Sequence, residues 1–373
     1  MRPPFTIGIE EEFQMVDRQT GQLSPRIEAV LVRGRPLFGE HIKAEMLQPT
    51  VELISDILPD IQTARKACGQ ARARLAHLLA EEGLALVSAG THPTAMWQDT
   101  PKTPYQRYVE LEDEFQDVAR SILIFGLHVH IGVDTRRAAV LLMNQLRTWL
   151  PHLLALSTNS PFWEGRMTGL KSYRSVFWRA LPRTGVPEVF LSWEDFTSYE
   201  LRLIETGCID NGRRIWWDLR PHPFFPTIEF RIFDMPATLD ETLAITALCQ
   251  ALVAKVSWLN QREDILPMLS GHFIDENKWR VIRSGLDAEV VDFVLGMRLP
   301  MRQSIHELLD FVDDVLDDLG SRSDIDSLRN LIESEQGTGA DRQMALYRQT
   351  GSIEEVLRLL MQQTMQGIPA PPT

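Results

Sequence analysis

Apolar and polar positions alternate over residues 6–17: Ile7, Ile9, Phe13 and Met15 fall on one side of an extended chain, Gly8, Glu10, Glu12 and Gln14 on the other. The pattern predicts a first strand with a core face and a polar face. It returns at 122–134, where Leu123, Phe125, Leu127, Val129, Ile131 and Val133 oppose Gly126, His128, His130 and Gly132. A third instance at 227–234 sets Ile228, Phe230 and Ile232 against Glu229 and Arg231. Residues 41–55 read as a strand region bent at Pro49, which cannot donate to a ladder, and the bend is what would let Glu45 and Glu52 reach one site. Residues 84–89 read as a further strand. Helical spacing marks 26–38, 107–120, 138–156 and 61–82, the last with Ala64, Ala67, Cys68, Ala71, Leu75, Leu78 and Leu79 on one face and Gly83 as its stop. Beyond Thr238 the chain reads as helices alone, at 239–259, 276–284, 301–319, 325–333 and 353–365, with a Pro-rich tail from Pro369 expected to fray. Strands separated by helices early and helices alone late predict an α+β fold, an antiparallel or mixed sheet with helices on one face and an open polar face opposite. Residues 1–373 are expected to form a single catalytic domain, with a strand-rich, site-forming part at 1–236 and a mainly helical part at 237–368.

Composition narrows the partners. The 373 residues are 44% hydrophobic, enough for a large core. Lys and Arg total 38 against 51 Asp and Glu, a net charge of −13 that disfavours nucleic acid and anionic membranes. Cys68, Cys208 and Cys249 are scattered without CxxC spacing, which predicts buried thiols in a reducing compartment rather than disulfides or a structural zinc site. No basic segment followed by an apolar one opens the chain. Arg147, Gln250 and Lys255 interrupt the longest apolar stretches, and the cytoplasm is the expected location.

The polar faces carry the candidate chemistry. Two carboxylates about 7 Å apart on one strand repel, and a divalent cation resolves the conflict; a solvent-facing acidic edge strand would carry the same residues. If the strands are neighbours, Glu10, Glu12, Glu52, His128 and Glu229 converge, with Glu45 within reach across the bend and Arg231 beside them. Carboxylate oxygens with a single imidazole suit Mg²⁺ or Mn²⁺. Acidic residues with an arginine suit phosphoryl transfer. GxxxxGK[ST], GxGxxG and a kinase-type catalytic loop are all absent, so an ATP site would be of another design. Arg166, Lys171 and Arg174 in the irregular stretch 157–187 are candidates for anion capture, whereas His92 in the 90–104 loop reads as a packing residue. Asp310, Asp313, Asp314, Asp317 and Asp318 read as a solvated helix face.

Taken in order, Gly8-Ile9-Glu10-Glu11-Glu12-Phe13, the stretch from Glu45 to Glu52, Gly126-Leu127-His128-Val129-His130-Ile131-Gly132, Ser160-Pro161-Phe162 through Arg174, Trp216-Trp217-Asp218-Leu219-Arg220-Pro221 and Thr227-Ile228-Glu229-Phe230-Arg231 resemble the bacterial carboxylate-amine ligases of the type 2 glutamate-cysteine ligase family. Glu276-Asn277-Lys278-Trp279-Arg280 and Gly337-Thr338-Gly339-Ala340-Asp341-Arg342-Gln343 extend the resemblance over nearly the whole chain. It implies a catalytic domain similar to glutamine synthetase, with an antiparallel sheet curved around ATP and two or three divalent metals. On this resemblance Glu12, Glu45 and Glu52 would hold one Mg²⁺ or Mn²⁺, and Glu10, His128 and Glu229 a second that bridges the ATP phosphates. His130 and Arg231 would contact the amino-acid substrate or the transferring phosphoryl group, with Arg174 and Arg220 as candidates for the same work. The implied reaction passes the ATP γ-phosphate to the carboxylate of L-glutamate and lets an amine, that of L-cysteine, attack the acyl phosphate to give a γ-glutamyl amide. The implied partners are amino acids and ATP, and a homodimer is left open.

Phe225-Pro226 stands before Thr227 where the family pattern has a glycine, and Arg166-Met167-Thr168-Gly169-Leu170 lacks the usual acidic and aromatic flanks. Both departures bear on the choice of carboxylate and amine. A phosphotransferase resembling the guanidino kinases would set several arginines around ATP, which this face lacks. A catalytically silent metal- or amino-acid-binding protein would have no need of all six candidate ligands.

Overall fold

The computed structural model describes residues 5–369, so the end of the Pro-rich tail, 370–373, lies outside the described residues. Seven strands build the main sheet: β1 (Ile7–Asp17), β2 (Ile42–Ala44), β3 (Thr50–Ile54), β4 (Leu84–Val87), β5 (Gly126–Gly132), β6 (Leu219–Pro221) and β7 (Thr227–Asp234). Their order is β6-β7-β5-β1-β3-β2, with β4 also on β1, and every pairing is antiparallel. The eleven residues of β1 give it room for three partners: Ile7 to Glu11 pair with β5, Glu10 to Gln14 with β3, and Gln14 to Asp17 with β4.

Register then assembles the polar face. Glu12 lies opposite Glu52, Glu10 opposite His128, Gly8 opposite His130, and His130 opposite Glu229. Cross-strand partners share a side of the sheet, so a row of acids and imidazoles runs across β3, β1, β5 and β7. On the other side Ile7, Ile9, Phe13, Met15, Leu127, Val129 and Ile131 are buried beneath helices that include Ile61–Glu81 and Leu239–Gln261. The second of these begins in a Thr238/Glu241 capping box. It is long and apolar enough to cross a membrane, contrary to the expectation from its polar interruptions, but 78% of its most apolar stretch is buried within the fold. Glu11 points into this core, where Arg72 from the Ile61–Glu81 helix meets its carboxylate at 2.5 and 3.1 Å and also donates to Thr242.

Several predicted elements are interrupted. The helix expected at 107–120 breaks at Gln116, where φ is 50°, into Gln106–Phe115 and Asp117–Arg120. The 138–156 helix divides into Arg136–Leu146 and Leu150–Ser157, with Pro151 in the first turn of the second because proline fits a first turn and not an interior. The 301–319 helix ends at Phe311 and resumes as Leu316–Leu319. Helices Trp193–Glu205 and Gly339–Thr350 were not predicted. In β7 the register shifts between Phe230, opposite Val129, and Phe233, opposite Leu127, so Arg231 and Ile232 together face His128. Phe233, not Ile232, therefore takes the next core position across from β5. Cys68 and Cys249 are buried as expected, but Cys208 is exposed.

Candidate active site

The polar face floors a cleft of about 480 Å³ walled by Glu10, Glu12, Glu45, Glu52, His128, Arg174 and Arg231. Among the described residues two groups of ligand atoms close within 4.8 Å of one another, Glu10 with Glu52 and His128, and Glu10 with His130 and Glu229. Glu10 belongs to both. Its Oε2 lies 3.0 Å from His128 Nδ1 and its Oε1 3.3 Å from His130 Nε2. The grouping differs from the sets implied by resemblance, because the two imidazoles of β5 bracket Glu10 while Glu229 is drawn aside by two guanidiniums. Arg220 donates to Glu229 at 2.8 and 3.1 Å, and Arg231 also pairs with it.

The carboxylates separate into two electrostatic classes. Burial and the neighbouring Glu45 push Glu12 up to about 7. Burial also raises Glu45, and burial with the charges of Glu45, Glu10 and Glu12 raises Glu52 well above the usual carboxylate range. Burial acts the same way on Glu10 and Glu229, but it is outweighed: the His128 and His130 hydrogen bonds hold Glu10 well below its ordinary value, and Arg220 and Arg231 do so for Glu229. Burial and the charge of Arg231 push His128 down to about 4, leaving a neutral ring whose Nδ1 faces Glu10 and whose other nitrogen is free to act as a ligand. His130 goes the opposite way, raised against burial by Glu229 and Glu10. Oxygen-rich acids short of countercharge beside a neutral imidazole are a donor set that fits Mg²⁺ or Mn²⁺.

Arg174 and Arg231 converge on one side of the cleft, with their guanidinium carbons 5.6 and 5.4 Å from the centre of the Trp178 ring. The β7 bulge delivers Arg231 to this place. Arg174 is buried and crosses Gly126, where a Cβ would overlap its guanidinium. Gly126 also donates its N–H to Glu12 at 2.6 Å. Arg174 opens the short helix Arg174–Trp178 within the stretch read as irregular, and of the other cations there Lys171 is committed to Asp287 and Asp341 while Arg166 is exposed. Arg220, expected to contact substrate, gives four of its five N–H donors to Glu229 and to the carbonyls of Arg213 and Ile215, so it holds Glu229 in place. His92 is buried and packs as expected, facing the Gly21 carbonyl and accepting from the N–H groups of Thr94 and Ala95.

A model of glutamate-cysteine ligase family 2 matches residues 6–359. The chain belongs to that family. As a member of glutamate-cysteine ligase family 2 it is an ATP-dependent ligase that forms a C–N bond. It is 45% identical to a protein of Solibacter usitatus over 372 residues, covering 100% of this chain and 96% of that one. A Roseiflexus castenholzii protein is 44% identical over 366 residues, covering 98% and 96%. Both carry the provisional name glutamate–cysteine ligase 2. Among solved structures, the glutamate–cysteine ligase of Francisella tularensis in complex with AMP superposes with a TM-score of 0.71 at 13% identity, covering 98% of this chain and 90% of that one. A bifunctional glutathione synthetase from Pasteurella multocida gives 0.71 at 14%, covering 96% and 52%. These two likenesses establish the fold.

The family 2 cleft has a further wall that the strand patterns did not disclose. Arg107 and Tyr108, at the start of the Gln106–Phe115 helix, line it, and the Tyr108 hydroxyl donates to Glu45 at 3.3 Å. Trp178, Arg213 and Arg214 line it as well, so that with Arg107, Arg174 and Arg231 five arginines among the described residues face the cleft, more than the polar strand positions showed. Their sequence signal is an arginine beside an aromatic or another arginine, which is common on surfaces and gains meaning only from position.

Proposed function

We propose that the protein transfers the γ-phosphate of ATP to the γ-carboxylate of L-glutamate and joins the resulting acyl phosphate to an amine, that of L-cysteine, releasing phosphate and a γ-glutamyl amide. The observation that carries this reading is the pairing of an under-neutralised acidic floor with two guanidiniums seated on Trp178. The resemblance assigns Glu12, Glu45 and Glu52 to one divalent cation and Glu10, His128 and Glu229 to a second, and the observed grouping of Glu10 with Glu52 and His128 would let Glu10 and Glu52 serve adjoining ions while Glu229 stays with its arginines until a cation draws it in. Bound there, Mg²⁺ or Mn²⁺ would offset phosphate charge and align the reacting oxygens.

The chain's own groups supply the rest. Arg174 and Arg231 balance the charge that spreads over the transferred phosphoryl oxygens. His130, held between Glu10 and Glu229, is placed to contact the amino acid or the phosphoryl group. Arg220 acts one step back by fixing Glu229. A nucleophilic side chain is not required, since the substrate carboxylate attacks the γ-phosphorus directly with ADP leaving, and the amine then attacks the acyl carbon, giving up a proton as phosphate leaves. The whole chain, 1–373, is taken as the catalytic unit, acting in the cytoplasm.

Phosphate release from Mg²⁺-ATP with L-glutamate, with and without L-cysteine and a panel of other amines, tests the reading when products are identified by mass spectrometry. A γ-glutamyl amide of cysteine is the expected product. A different amide would keep the chemistry and replace the amine; a stable phosphorylated guanidine would replace the reaction with that of a phosphotransferase. Glu12→Ala and Glu52→Ala are expected to fold and to lose Mg²⁺-dependent turnover, and wild-type rates in either would refute the cation assignment.

A further inference from the structure

Arg231 enters the cleft from a bulge, and what fixes that bulge lies behind it. The Arg231 N–H donates to the main-chain carbonyl of Asp218 at 2.8 Å, and Asp218 N–H donates in turn to Gly185 at 2.9 Å. The Asp218 side chain is 1% exposed, and its carboxylate meets Lys278 Nζ at 2.5 Å. Lys278, 2% exposed, comes from the Gly271–Ser284 helix on the far side. Neither residue is among those that line the cleft. Asp218 nevertheless lies near enough to the Arg174 guanidinium for its charge to act on it.

A carboxylate this deeply buried needs a cation. Lys278 provides one from behind. Without it, the guanidiniums that share the Trp178 ring are the cations toward which Asp218 would turn, and each would then leave its place at the cleft. We propose that Lys278 is a positioning residue: by neutralising Asp218 it keeps Arg174 and Arg231 on Trp178, facing the anion that forms during the reaction. The proposal rests on the phosphoryl-transfer reading for its catalytic consequence and on geometry alone for its structural one.

The test begins with Lys278→Met, assayed for ATP-dependent amide formation. A fall in kcat of about 100-fold is expected, the scale set by losing one preorganised charge partner, while KM for ATP stays within about threefold because ground-state binding is little changed. Asp218→Asn in the same background removes the anion that needs a partner, and kcat should return to within about tenfold of wild type, since coupled residues are non-additive. Lys278→Arg, which keeps the charge, should also retain turnover. A role confined to packing predicts the opposite pattern: Lys278→Met and the double variant lose thermal stability, kcat per folded molecule is unchanged, and no rescue is seen. That result would overturn the proposal. If Lys278→Met does not fold, the double variant decides alone, near-wild-type kcat supporting the proposal and a loss as deep as that of Arg231→Lys refuting it. If the wild type consumes no ATP, the ligase reading fails by itself. Crystal structures of the variants then test the positioning, which falls if both guanidiniums remain over Trp178 in Lys278→Met or, where only the double variant folds, if they have left the ring in it.

Discussion

His92 and Glu12 titrate over nearly the same interval with opposite consequences. Burial pushes His92 down from 6.5 to about 4. The unfolded chain takes up a proton below pH 6.5 that the folded one refuses, so this contribution is complete above 6.5 and is lost as pH falls toward 4, by roughly 3 kcal/mol. In His92→Asn the amide oxygen can still accept from Thr94 and Ala95, and the drop in urea-unfolding free energy between pH 7 and pH 4 should shrink by about that amount. Glu12 is raised from 4.5 to about 7. Its share of stability is present below pH 4.5 and is lost as pH rises through 7, for as long as no cation replaces the proton. The gain in Tm on adding Mg²⁺ should therefore be larger at pH 7 than at pH 5. An equal gain at both would mean that the acidic floor does not bind the ion.

At the scale of elements, β1 carries charge on both faces. Glu10 and Glu12 serve the cleft, while Glu11 anchors the strand to the Ile61–Glu81 helix through Arg72. Removing one partner strands a buried charge, so Arg72→Met should cost about 3–5 kcal/mol in denaturant unfolding. On β5, Gly126→Ala should leave far-UV circular dichroism unchanged and displace Arg174, reducing turnover by at least about tenfold; unaltered activity would remove Arg174 from the site. The alternation in β1, β5 and β7 was legible because each strand has one dry and one polar side. Glu11 broke the pattern unnoticed, since its partner is an arginine on a helix face otherwise read through Ala64, Cys68 and Leu75. The β7 bulge left one trace in the sequence, the adjacent apolar pair Ile232-Phe233 that breaks the alternation, but such a pair also reads as the end of a strand. The Gly339–Thr350 helix was hidden by glycines that look like loop, although Thr338 and Asp341 form its capping box. The tie from Arg220 to Glu229 was not legible because sequence gives an arginine on the polar side but not which of its donors a neighbouring carboxylate takes.

For the whole molecule, the acids, imidazoles and guanidiniums of the site come from β1, the β2–β3 region, β5, β7 and the short helix Arg174–Trp178, so binding at the site is coupled to folding. A ligand that engages several of these elements should raise Tm, and Tm should keep climbing with the logarithm of ligand concentration after the site is full. The sheet that joins them is built from pairings distant in sequence, and refolding should be slow, on the order of milliseconds to seconds. There is a further consequence of placing β1 at the centre. It leaves the ribosome ahead of every strand it pairs with, and roughly a hundred residues must follow before its β5 neighbour exists. Until then the nascent chain carries a strip with one greasy side, one acidic side and an open edge. The repulsion among Glu10, Glu11 and Glu12 that the finished enzyme must offset then has a use during synthesis, as it keeps the unfinished strips of neighbouring polysomes from pairing with each other.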